Sequence, residues 1–150
     1  RERPHRQPCL SAHLITPPAI TMFRHDQTIT LQIANAGSEA AAAWLAEAAA
    51  FDNTTVIDPN HLNAAAAVCL NFPKFTDGRA YSQAALLRGR YAYGGAVIAT
   101  GDVLVDQVLQ MARCGFTHAI LRADQSLAAA ERQLGRFDGF YQPAAFAVAA

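Results

Sequence analysis

Short apolar runs alternate with longer amphipathic runs along most of the chain, and polar loops separate them. Three runs have the nearly continuous apolar character of buried parallel strands: 65–72, 96–99 and 117–121. The runs that follow them have helical spacing, which predicts helices over 79–92, after Asp102 and over 127–137. The alternation predicts an α/β fold of consecutive βα units with a mainly parallel sheet, either doubly wound or like part of a TIM barrel.

The first part of this pattern is less regular. Residues 28–33 alternate with period two, which predicts an edge or half-exposed strand. Ser38 precedes an alanine-rich run and has the chemistry of an N-cap, so we predict a helix at about 39–51 with Trp44 packed on the sheet. Residues 54–57 are a candidate for a further short strand.

Composition indicates one folded domain. Hydrophobic residues make up 52% of the chain and charged residues 16%, which argues against disorder. Residues 1–21 differ, with four prolines and three arginines, and we predict that they are disordered or not native because Met22 is the first methionine. We therefore place a single α/β domain at 22–150. Since no apolar run reaches about 18 residues, we expect no membrane-spanning helix.

Charge and cysteine content narrow the range of partners. The 12 basic and 12 acidic side chains balance, which disfavours nucleic acid as a partner. The basic excess lies in residues 72–136, where a small anion or an acidic protein surface would be attracted. Cys9, Cys69 and Cys114 are odd in number and lack metal-ligand spacing, so a disulfide framework is not expected and a reducing cytoplasm is the natural location.

Polar side chains follow each of the three predicted strands, and parallel strands end at the same edge of a sheet. The candidate anion-binding residues are Lys74, Asp77, Gly78, Arg79, Ser82, Thr100 and Arg122, with Asp124 close by in sequence. Ser82 and the amides near Arg79 stand at a predicted helix N-terminus, where a phosphate, sulfate, sulfite or carboxylate is favoured. The structural alternative is that the aspartates and Ser82 only form turns and caps and that the arginines are solvated.

Asp102 and Asp106 are the candidate catalytic residues. Four positions apart, they could share a helix face and carry out acid/base chemistry, although Asp102 is also a candidate N-cap of the helix after it. The chain has no Walker, GxGxxG, GxSxG or HExxH motif, and its histidines lack metal-ligand spacing. We therefore predict no metal site and no cofactor, because flavin, haem and iron–sulfur motifs are also lacking.

Two longer motifs carry a family resemblance. The stretches FPKFTDGRAYSQAALL and GDVLVDQVLQMARCGF resemble the bacterial domain-of-unknown-function family 934, which is usually encoded beside the sulfite reductase hemoprotein. Members are often labelled as oxidoreductases of sulfite reduction, and the resemblance spans about 72–122. It implies a cytoplasmic protein of sulfate assimilation and cysteine supply, with sulfite reductase as a partner. The chain departs from the family pattern at Ala80, Gly89, Val105 and 96–99.

Three functions stay open at this point. The first is an accessory protein of assimilatory sulfite reduction that binds a small oxyanion or the reductase at the predicted sheet edge. The second is an enzyme on a partial-barrel scaffold that acts on a phosphorylated or carboxylated metabolite, with Asp102 as acid or base and Arg79 and Arg122 as anchors. The third is an assembly module that forms homo-oligomers through an exposed sheet edge and an apolar tail.

Overall fold

The computed structural model of the chain describes residues 30–62 and 65–137. The predicted extension at 1–21 and the apolar tail after 138 lie outside the described residues. The strands are β1 (Gln32–Asn35), β2 (Ala48–Phe51), β3 (Ala67–Phe72), β4 (Ala96–Gly101) and β5 (His118–Leu121). The helices are α1 (Glu39–Leu45), α2 (Pro59–Leu62), α3 (Arg79–Gly89), α4 (Val108–Cys114), which a 3₁₀ turn (Val105–Gln107) precedes, and α5 (Leu127–Leu134).

The five strands form one sheet in the order β1-β5-β4-β3-β2, and every neighbouring pair is parallel. Strands β2 to β5 follow one another across the sheet, whereas the chain crosses from β1 at one edge to β2 at the other. Within the described part of the chain these two edge strands do not pair, so the sheet is open. The prediction of an α/β fold with a parallel sheet is confirmed, in its open form rather than as a barrel.

Helices cover both faces of the sheet. Val97 and Ala99 of β4 belong to the larger core, to which α3, α4 and α5 contribute buried side chains. Ile98, between them, points to the other face and belongs to a smaller core with Ala41 and Trp44 of α1. Trp44 also packs edge-on against the His118 ring, with the ring centroids 4.6 Å apart. The prediction that Trp44 packs helix against sheet is therefore confirmed.

The predicted helix at 39–51 is correct only in its first half. Ser38 is the N-cap, since its hydroxyl oxygen accepts a hydrogen bond from Ala41 N–H. The helix ends at Leu45, however, and Ala48–Phe51 form the edge strand β2, paired with β3 from Ala67 to Leu70. Alanine favours helix, but its small side chain also fits beside a neighbouring strand, so the tertiary pairing overrides the local preference.

Two strand predictions also need correction. Residues 54–57 form no strand but part of the loop between β2 and α2, in which Ile57 is buried and Val56 is 90% exposed. The edge strand predicted at 28–33 lies later, at Gln32–Asn35, and residues 28 and 29 are outside the described residues. A period-two pattern identifies a strand better than its boundaries, because the pairing partner sets where the strand ends.

Candidate functional site

The strands end at one edge of the sheet, which we call the carboxyl edge. It consists of the loops 36–38, 52–58, 73–78, 102–104 and 122–126. Gly101, the last residue of β4, has a positive φ of 94° and lies against the end of β3. In this conformation the Asp102 N–H donates to the Phe72 carbonyl oxygen at 2.7 Å. The backbone thereby holds Asp102 beside the loop that follows β3.

Asp102, Arg122 and Asp124 form an ion-paired cluster at this edge. Arg122 donates through Nη1 to Asp102 Oδ1 at 2.8 Å, and through Nε and Nη2 to the two oxygens of Asp124 at 2.9 and 2.6 Å. The guanidinium therefore bridges two carboxylates, one of them in bidentate fashion. The cluster carries two negative charges against one positive, so Arg122 is already compensated before any ligand arrives.

The same contacts determine the protonation of both carboxyl groups. The hydrogen bonds from Arg122 lower the pKa of Asp124 to about 2. The Arg122 guanidinium, followed by the Phe75 N–H, also holds the pKa of Asp102 below its usual value. Both groups are consequently ionised at neutral pH. Because these folded-state pKa values are lowered, the ion pairs stabilise the fold above the usual carboxyl pKa, and this contribution is lost as the pH falls through the lowered values.

Asp102 also fixes the loop that follows β3. Its Oδ2 accepts a hydrogen bond from Phe75 N–H at 2.9 Å, and Gln107 Nε2 donates to the Phe75 carbonyl oxygen at 3.0 Å. The prediction that Asp102 caps the following helix is therefore wrong. Residue Leu104 precedes the 3₁₀ turn, and its N–H donates to Gln107 Oε1 at 2.9 Å. The Asp102 carboxylate therefore binds groups from neighbouring loops, Phe75 N–H and Arg122, and not the amides of the helix that follows it.

A second cluster lies between the loops that follow β2 and β3. Asn53, which is buried, donates from Nδ2 to Asp77 Oδ2 at 2.6 Å. The other oxygen of Asp77 accepts from Arg79 N–H at 3.2 Å and lies 3.8 Å from Arg79 Nε. Asp77 is thus the acceptor that closes the start of α3, while the Arg79 side chain stays 63% exposed. The pKa of the Asp52 carboxyl is lowered mainly by hydrogen bonds from the Asn53 N–H and the Thr54 hydroxyl, and the charge of Arg79 adds a smaller effect.

The remaining predicted site residues are more scattered. Lys74 and Ser82 are exposed, and Lys74 takes part in no ion pair with any described residue. Gly78 is the N-cap residue of α3 and offers no side chain to it. The Thr100 hydroxyl is 3.2 Å from Cys69 Sγ and so belongs to the sheet rather than to the loops. The structure therefore brings Asp102 to Arg122 and Asp77 to Arg79. Phe75 is in the same loop as Asp77 and is hydrogen-bonded to Asp102.

Asp106, the second candidate catalytic residue, is exposed in the 3₁₀ turn before α4. Asp102 lies outside any helix, so the two aspartates do not share a helix face as their spacing predicts. Among the described residues no group of three or more His, Cys, Asp or Glu side chains is arranged to hold a metal ion. Among the described residues, the polar groups at this edge form hydrogen bonds with one another, and the charged groups can attract a charged ligand.

Sequence reasoning missed the neutral residues that connect the edge. Gln107 and Gln83 are both buried, and Gln83 Nε2 donates to the carbonyl oxygens of Asp52 and Thr55 at 2.9 and 3.0 Å. Gln125 Oε1 accepts from Val105 N–H at 3.2 Å. A glutamine on the apolar side of a predicted helix is the one signal that could have identified Gln83, because a buried amide needs hydrogen-bond partners.

Comparison with known proteins identifies a family. The family model described as "Bacterial protein of unknown function (DUF934)" matches residues 43–149, so the chain belongs to that family. No curated protein and no solved structure is significantly similar to the chain. Among the helices in the described part of the chain, none combines the length and the apolar character needed to cross a membrane.

Proposed function

We propose that this member of a bacterial family of unknown function is a cytoplasmic accessory protein of assimilatory sulfite reduction, serving sulfate assimilation and cysteine supply. It works by binding, at the carboxyl edge, a small oxyanion or the sulfite reductase itself. Support comes from the family match over 43–149 and from the resemblance of residues 72–122 to proteins encoded beside the reductase. The proposal concerns binding and assigns no reaction to the chain.

The observation that carries the binding role is that both oxygens of the Asp102 carboxylate already accept hydrogen bonds within the protein. Its two oxygens accept hydrogen bonds from Arg122 Nη1 and Phe75 N–H, and both contacts favour the ionised form. A general acid or base works best with a pKa near the working pH, whereas the pKa of Asp102 is shifted the other way. The arrangement suits a carboxylate that shapes a surface, and an enzyme that uses Asp102 for proton transfer has less support.

The oxyanion would be held by the cations that the edge leaves accessible. Arg122 is engaged with two carboxylates. Lys74 has no ion pair with a described residue, and Arg79 has only the 3.8 Å contact with Asp77, so these two cations have charge to offer. Arg79 is 63% exposed at the start of α3, where the helix dipole also favours an anion. Sulfite and sulfate have the oxygen spacing that a guanidinium can bind in bidentate fashion.

Calorimetric titration tests the oxyanion half of the proposal. We expect sulfite to bind the wild-type protein and Arg79→Ala to weaken binding by about tenfold, the loss typical of one charge-assisted contact. Arg90→Ala is the matched control, since Arg90 is also exposed but lies after the other end of α3. Sulfate and phosphate titrations measure selectivity. If neither the wild type nor the Arg90 variant binds any of the three anions, the oxyanion role is wrong.

A further inference from the structure

His118 lies where α1 packs on the sheet. It is the first residue of β5 and stands beside Gln32 of β1 and Ile98 of β4 in the register of the sheet. Its side chain is on the same face as that of Ile120, two residues later, which belongs to the smaller core. The Trp44 ring of α1 packs edge-on against the imidazole at 4.6 Å. A group that titrates near neutral pH therefore lies between a helix and the sheet.

Helix α1 has few other attachments to the sheet. Of its seven residues only Ala41 is buried, and Leu45 is 41% exposed. Trp44 is the large side chain by which α1 packs on the smaller core. Because a helix of seven residues is not stable by itself, its position depends on this packing. Loss of the Trp44 contact would therefore free α1.

The hydrogen bonds of Thr117 accommodate both protonation states of the imidazole. Thr117 Oγ1 lies 2.8 Å from His118 Nδ1, accepts from Val97 N–H at 3.0 Å and is 3.2 Å from the Val97 carbonyl oxygen. A neutral imidazole nitrogen can accept the hydroxyl proton, whereas the Nδ1–H of an imidazolium can donate to Oγ1 while the hydroxyl turns to the carbonyl. Proton uptake therefore leaves Nδ1 hydrogen-bonded, and its cost falls on the part of the ring that lies against Trp44.

Among the described residues no charge compensates an imidazolium at this position. Strands β1 and β4 carry no charged side chain, and neither do residues 115–117. Glu39 of α1 and Glu47 after it are exposed, and His118 takes part in none of the described ion pairs. Burial lowers the pKa of His118 below its usual value. Docked α1 thus disfavours the proton, so its docking is strongest above the usual histidine pKa and weakens as the pH falls through the lowered value.

We propose that the contact between Trp44 and His118 is a pH-sensitive switch, in which proton uptake by His118 shifts α1 from a docked to a released position. Release returns the imidazolium to water and uncovers the smaller core, including Ile98 and Ile120. It also frees the loop 36–38, which joins α1 to the carboxyl edge. The switch is a property of the fold and requires neither sulfite nor the reductase.

Hydrogen exchange of the full chain at about pH 7.5 and about pH 5.5 tests the switch, with rates corrected for the intrinsic effect of pH. We expect the opening of α1 to be at least about threefold more populated at the lower pH, and that of α5 to change less. His118→Phe keeps an aromatic ring beside Trp44 but cannot titrate, so it should abolish the increase. His61→Gln is the matched control because it removes another histidine, in α2, and should keep the increase.

A proton titration of the His118 ring by NMR gives a second measurement on the wild type alone. A midpoint below about 6.5 agrees with the switch, whereas a midpoint at or above that value, as a favourable imidazolium–indole contact would produce, would overturn it. Unchanged corrected exchange of α1 between the two pH values would also overturn it. An increase that persists in folded His118→Phe would assign the pH response to another group. If that variant does not fold, as judged by circular dichroism, His118→Gln takes its place.

Discussion

Replacement of Arg88 by methionine is expected to lower the free energy of unfolding by about 3 kcal/mol, because it leaves one buried and two part-buried carbonyl groups without donors. Arg88 lies in α3 and is only 8% exposed. Its Nε donates to the Gly115 carbonyl oxygen at 2.9 Å, and its Nη1 donates to those of Tyr93 and Gly95 at 2.5 and 2.8 Å. One side chain therefore joins α3, the start of β4 and the end of α4.

Urea denaturation followed by circular dichroism measures this effect. The control is Arg90→Met, which makes the same chemical change two residues later, where the side chain is exposed, and should cost no more than about 0.5 kcal/mol. Arg88→Lys keeps a positive charge but cannot reach three acceptors in a fixed fork, so it should recover only part of the stability. Equal urea midpoints for Arg88→Met and Arg90→Met would contradict the assigned bridging role.

Substitution of Gly101 by alanine is expected to destabilise the fold by about 3 kcal/mol or more, since a side chain there is both strained and obstructed. The residue has φ 94°, and an added Cβ would overlap the Phe72 carbonyl oxygen and lie 2.6 Å from Asn71 Oδ1. The Phe72 carbonyl belongs to the backbone of the adjacent strand β3, so it cannot move aside without disturbing the strand. The change should also shift Asp102 away from Phe75, because Asp102 follows directly in the chain.

Variants at two other glycines allow the cost of backbone strain to be measured apart from the cost of a steric clash. Gly37 has φ 83° but open space around it, so Gly37→Ala should show the conformational cost alone, about 1 kcal/mol. Gly94 has neither a positive φ nor a close neighbour, and Gly94→Ala should change stability by no more than about 0.5 kcal/mol. Thermal or urea unfolding of the three variants gives the comparison. A Gly101 variant no less stable than the Gly37 variant would show that the close approach of the two strands is unimportant.

The strands and helices from β3 onward could be predicted because local and tertiary preferences agree there. β3 and β4 each begin with four apolar residues and pair over six positions, and each is followed by a helix that begins after a polar loop. The prediction of one helix over residues 39–51 failed because the segment is rich in alanine, and alanine content says little about whether a segment pairs as a strand. Ala48–Phe51 form a strand because they pair with β3, which lies sixteen or more residues later in the chain. A prediction from neighbouring residues alone does not include that partner.

The candidate site could be predicted only in part. Parallel topology correctly brought Asp102 near Arg122, which are 20 positions apart in sequence. It did not predict that Arg122 would be saturated by two carboxylates, because charge pairing depends on side-chain reach within a few ångströms. The hydrogen bond from the Gln107 side chain to the Phe75 carbonyl oxygen spans 32 positions in the chain. Because it ends on the backbone, no pattern of residue types predicts it. Arg88 lies in the last turn of α3, and its burial follows from the packing of α4 against that turn.

The proposed role of this protein is to support sulfite reduction by binding rather than by catalysis. The most direct measurement is growth of a deletion strain of the source bacterium on defined sulfur sources. We predict poor growth on sulfate or sulfite, normal growth on sulfide or cysteine, and full rescue by the wild-type gene. Asp102→Asn should rescue in part, because its amide keeps one of the two acceptor oxygens, provided that the variant is present at normal levels. Normal growth of the deletion strain on sulfite, or failure of a folded Asp102→Asn protein to rescue it, would contradict the account.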